Sequence, residues 1–66
     1  MNSATRVAAV ETLSNGDVVS FSSGVKHQYR VVGVARDGGA VHLDLRSDGR
    51  ELSACYYVGE LALVHS

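Results

Sequence analysis

His42, Asp44 and Cys55 are the residues of this chain whose types suit covalent chemistry. A thiolate nucleophile, an imidazole base and a carboxylate that orients the imidazole form a working set when they converge. Their placement can be read from one turn. Asp48-Gly49 is a favoured two-residue type I′ hairpin loop that pairs Ser47 with Arg50. Counting outward sets Arg46 opposite Glu51, Leu45 opposite Leu52, Asp44 opposite Ser53, Leu43 opposite Ala54, His42 opposite Cys55 and Val41 opposite Tyr56. A histidine directly across a strand pair from a cysteine leaves little room for a substrate, and an open sheet face neither excludes water nor supplies an oxyanion hole. Three ligands spread along a ladder also fail to converge tetrahedrally on a metal. No catalytic residue, metal or cofactor is therefore assigned. His42 is read as a surface residue with binding capacity, and Cys55 as a half-buried filler.

Phosphate binding finds no better support. Asp37-Gly38-Gly39 and Ser22-Ser23-Gly24 are glycine loops, but they lack both phosphate-loop spacing and a following helix. They read as turns.

The aromatic residues Phe21, Tyr29, Tyr56 and Tyr57 offer apolar area, and the tyrosines add a hydroxyl at low entropic cost. In the hairpin register Tyr56 falls on the apolar face and Tyr57 on the other, so one layer cannot cover both. Tyr57 with Tyr29 marks a contact surface for a partner or a second subunit. His27, Arg30 and Lys26 lie near that end and supply polar contacts. The predicted binding set is Tyr29, Arg30, His27, Tyr57, Tyr56 and His42.

The elements that must hold these residues are short strands. Glycines at 16, 24, 33, 38, 39, 49 and 59 separate β-branched or apolar runs, the pattern of a small all-β domain. The first run is Asp17 to Phe21. A second, Gln28 to Ala35, contains Gly33, which suggests a bend or bulge. The hairpin supplies the third and fourth, with Val41, Leu43, Leu45, Leu52, Ala54 and Tyr56 on one face and His42, Asp44, Arg46, Glu51, Ser53 and Cys55 on the other. Leu61 to His65 closes the domain. Ahead of these runs Val7, Val10 and Leu13 recur every three residues, which fits either a short helix or an irregular arm.

Bulk composition sets the limits. A chain of 66 residues holds one core. Ordering costs on the order of 1.5 kcal/mol per residue, which nearly cancels the apolar burial open to so small a chain, so a staple or a partner is needed. With one cysteine there is no internal disulfide, and self-association is expected. Six Lys and Arg against seven Asp and Glu give no basic footprint for nucleic acid, although Arg30, Arg36, Arg46 and Arg50 could gather on one face. No apolar run approaches a membrane span, and the first residues form no signal peptide, so a cytoplasmic protein is expected.

The expected fold is all-β: a five-stranded SH3-like partly open barrel over residues 15–66, preceded by a short irregular or helical arm over residues 1–14. Closing a bent sheet on itself removes most of its exposed edge.

Gly16-Asp17-x-Val19, then Ser23-Gly24, Val32-Gly33, and Tyr56 followed by Val58-x-x-Leu61 give the stretch from Gly16 to Val64 a resemblance to the plasmid-encoded type II dihydrofolate reductases. Those are SH3-like barrels that form a homotetramer around a pore lined by a Val-Gln-Ile-Tyr stretch and a nearby lysine. The matching stretch here is Ser53-Ala54-Cys55-Tyr56, which keeps the tyrosine alone, and Phe21-Ser22 stands where the family has Lys-Lys. The resemblance implies the fold and self-association, without the reductase site residues.

The expected function is a non-catalytic binding module for a protein partner, working through Ser22 to His27, Asp37 to Gly39, Tyr29 and Tyr57, with an origin in a phage, plasmid or integron cassette. A nucleic-acid-binding barrel is one alternative. Another is an oligomeric enzyme of the type II dihydrofolate reductase kind, with Tyr56 or His42 of several subunits converging at an interface.

Overall fold

The computed structural model describes residues 5–21 and 27–65. Among the described residues six strands form one antiparallel sheet: β1 (Thr5–Ala9), β2 (Val18–Ser20), β3 (Tyr29–Asp37), β4 (Ala40–Ser47), β5 (Arg50–Tyr57) and β6 (Leu61–His65). Their order across the sheet is β1-β6-β2-β3-β4-β5. Strands β2 to β5 follow one another as a meander, and β6 returns to pair with β2 on its free side. The two outer strands, β1 and β5, do not pair with each other, so the sheet is not closed. Among the described residues no helix is long and apolar enough to cross a membrane.

The β4–β5 register is the one that the turn chemistry predicts, from Ser47 opposite Arg50 through His42 opposite Cys55 to Val41 opposite Tyr56. Asp48 and Gly49 both take positive φ, 53° and 76°, as a type I′ loop requires. The glycine in the second run also behaves as expected, because the β3–β4 register shifts between Val31 and Gly33. Asp44 lies across that bulge, and a Cβ at position 33 would come within 2.9 Å of its Oδ2.

The N-terminal expectation needs correction, and with it the strand count rises from five to six. Residues 5–9 form a strand rather than an arm, and only Val10–Thr12 make a turn of 3₁₀ helix. The three-residue spacing misleads because Val7, Val10 and Leu13 do not share a surface: Val7 is exposed, whereas Val10 and Leu13 are buried. Strand β6 offers its edge to this segment, and ladder bonds to it satisfy backbone groups that a single helical turn would leave open. The Val10 N–H also donates to the Glu60 carbonyl at 2.8 Å, which seats the segment against the β5–β6 turn.

The core is made by Ala8, Val10, Leu13, Val19, Val31, Val41, Leu43, Leu45, Ala62 and Val64. Val41, Leu43 and Leu45 alternate with exposed residues along β4, which is the period of a strand with one dry face. Strand β5 is different. Its apolar residues share the face of Val41, Leu43 and Leu45, but Leu52 is 40% exposed and Ala54 and Tyr56 are only half-buried. An edge strand has a neighbour on one side alone, so half of the expected apolar face stays open.

Candidate functional site

The open half of that face is where the aromatic residues meet. Residues of one parity on β2 point inward, so Phe21, just past the strand, follows Val19 toward the core. The Phe21 ring stacks on Tyr56, with centroids 4.7 Å apart and planes 12° from parallel. Tyr29, at the start of β3, sits 6.5 Å from Phe21 and is tilted to it by 43°. His27 leans on Tyr29 at 5.3 Å. Together with Leu45, Leu52 and Ala54 these four rings line an open groove of about 340 Å³. Its floor continues past Leu52 to Arg50 and Asp48 at the hairpin tip.

Burial pushes the Tyr56 phenol above its ordinary value, and the negative charge of Glu60 with the nearby Tyr29 adds to the effect. The phenol therefore stays neutral and presents a hydroxyl rather than a charge. The groove can accept an apolar or aromatic group and offer it one or two hydrogen bonds.

Three of the predicted binding residues, Tyr29, His27 and Tyr56, come together in this groove. The rest do not join them. Tyr57 is 68% exposed on the opposite face of the sheet, across from Ala40 and therefore at the end of β5 far from the hairpin tip. Tyr29 lies inward near that tip, one residue before Arg30, which pairs with Arg46. The expected Tyr29–Tyr57 surface is thus split between two faces and two ends of the sheet. Arg30 and His42 are exposed on the outer face, opposite Arg46 and Cys55 respectively. Lys26 and the rest of the Ser22–Lys26 loop lie outside the described residues.

The outer face carries the polar pairs of the hairpin. Asp44 accepts a hydrogen bond from Ser53 Oγ at 3.0 Å rather than orienting His42, and Cys55 is exposed rather than half-buried. Arg46 pairs with Glu51 across the hairpin, as the register predicts. Among the described residues no group of three or more His, Cys, Asp or Glu is placed to hold a metal ion.

Two further contacts were not anticipated from sequence. Ser20 is fully buried and shares a 2.8 Å hydrogen bond with His65 Nε2. Its hydroxyl is out of reach of a substrate, so the pair ties β2 to β6. Glu11 accepts the Gly59 N–H at 3.0 Å, and this bond holds its carboxyl below the usual range, helped by Arg36. Both contacts join residues more than forty positions apart, which no local pattern signals. Leu52, by contrast, lies on the face that alternation predicts, and its exposure follows from the edge position of β5.

No family model, curated protein or solved structure matches this chain.

Proposed function

We propose that the chain is a small SH3-like binding module without catalytic function, and that its aromatic groove receives an apolar side chain from a protein partner. The SH3-like reading is supported by the meander of β2 to β5 with β6 returning to β2, and by the sheet bending far enough for Phe21 to reach Tyr56. The binding reading rests on one observation above all: a half-open pocket built by Phe21, Tyr29, Tyr56 and Leu52 in a domain with very little core to spare. Tyrosines left accessible in a pocket lined by apolar and aromatic side chains have the composition of a contact hot spot. A protein segment suits this site better than nucleic acid, because among the described residues the mouth of the groove sets Asp48 beside Arg50 and so balances its one cation.

The test is selection from a displayed library of short random peptides on the immobilised protein, followed by titration of the selected peptides. Enrichment of sequences with a large apolar anchor, and at least a tenfold weaker Kd for Tyr29→Ala, supports the reading. Absence of enrichment, or affinity unchanged in Tyr29→Ala, sinks it. Salt-sensitive binding to an oligonucleotide in place of a peptide would favour the nucleic-acid alternative.

A further inference from the structure

The free edge of β5 has definite limits. The two-residue loop makes Ser47 and Arg50 a hydrogen-bonded pair, and such pairs alternate along an antiparallel ladder. The backbone groups of Glu51, Ser53, Cys55 and Tyr57 therefore point away from β4. The Val58 N–H bonded to the Gly39 carbonyl at 2.9 Å fits the same alternation. At Tyr57 the outward groups are already used: its N–H donates to Glu60 Oε2 at 2.7 Å and its carbonyl accepts from the Glu60 N–H at 3.0 Å. Among the described residues Glu51, Ser53 and Cys55 keep outward groups without a backbone partner.

That open stretch is symmetric about Ser53. The usual protections of an edge strand are also missing from it, since the chain contains no proline, β5 contains no lysine, and the register of β5 on β4 shows no bulge. Its charges sit at one end only, at Arg50 and Glu51.

We propose that β5 pairs antiparallel with β5 of a second copy of this chain about a two-fold axis at Ser53. In this register Ser53 faces its own counterpart and Glu51 faces Cys55 of the other copy, which uses every open N–H and C=O in about six backbone hydrogen bonds. On the inner face Leu52 lies opposite Ala54 of the other copy, and Arg50 opposite Tyr56. Arg50 has no ion-pair partner of its own among the described residues. Across the axis it meets the face of a tyrosine whose neighbour is the Glu60 carboxylate, close enough to influence the phenol. Arg50 is thus brought toward an opposite charge, whereas centring the pair on Arg50 or Glu51 would oppose like charges. The dimer sheet has twelve strands, and the two aromatic grooves lie side by side on one face. It leaves open what fills those grooves, so the dimer and the peptide reading can fail independently.

Two measurements test it on the full chain. Light scattering across a concentration series should give twice the chain mass at high concentration, falling toward one chain on dilution, with Arg50→Glu weakening the dimer at least tenfold. Ser53→Cys in a Cys55→Ala background should form a disulfide-linked dimer under mild oxidation, because facing Cα atoms at the axis lie about 5.5 Å apart. The wild type should stay unlinked, since Cys55 faces Glu51 of the other copy. A monomer mass at every concentration overturns the proposal. So does a dimer in which Cys55 links in the wild type and Ser53→Cys does not.

Discussion

Phe21, just past the end of β2, stacks on Tyr56 of β5 at 4.7 Å, although β3 and β4 lie between β2 and β5. Only a strongly curled sheet brings these rings together. The contact therefore serves as a clasp across the open end of the domain, and the groove exists because the clasp covers only part of the face.

The clasp can be measured with a double-mutant cycle. Phe21→Ala and Tyr56→Ala each lower stability in urea unfolding, and the two changes couple by about 0.5–1.5 kcal/mol, the worth of an aromatic pair beyond its area. Strictly additive losses would mean that the rings do not meet in solution.

Leu43 and Leu52 point to the same face, yet their substitutions are expected to differ. Leu43 is fully buried and Leu52 is 40% exposed. Leu43→Ala should cost about 2–5 kcal/mol, enough to unfold much of a domain this small. For Leu52→Ala in the monomer a loss below about 1 kcal/mol is expected. Equal losses at low protein concentration would show that β5 is covered within one chain.

The hairpin turn makes a third contrast. Gly49 holds φ at 76°, so Gly49→Ala should cost about 1–2 kcal/mol through the left-handed backbone. Gly39 has open space around its Cβ direction and no positive φ. Gly39→Ala should stay within about 0.5 kcal/mol, and thermal melts of the two variants decide the point.

Two titrations shape stability against pH. The Glu11 carboxyl is held below the usual 4.5 by the Gly59 N–H, so its contribution is complete above that value and disappears as pH falls through the lower folded one. Glu11→Gln should flatten the acid limb. Tyr56 is shifted the other way, above 10.0. Its contribution is complete below that value and is lost as pH rises through the higher folded one, and Tyr56→Phe should flatten the alkaline limb. Urea midpoints across pH check both, and an unchanged profile in either variant would contradict the corresponding contact.

The legible parts of the candidate site were those carried by local rules. Alternation places Tyr56 inward and Tyr57 outward, as the structure does. What sequence joined wrongly was Tyr29 with Tyr57. Pairing them required knowing which end of β5 lies next to β3, and that follows from the sheet order rather than from either residue's neighbours.

By itself the sequence determined the all-β class, the β4–β5 register, the bulge at Gly33 and the bounds of β6. Each is written in short-range terms: a turn that only certain residues can make, a two-residue period, a glycine where the ladder slips. The tertiary structure alone decided that residues 5–9 join β6 and that Phe21 reaches Tyr56. It also decided that β5 ends the sheet with half of its apolar face open. These depend on the curl summed over several strands and on which edge finds a partner, and contacts between residues far apart in the chain settle both.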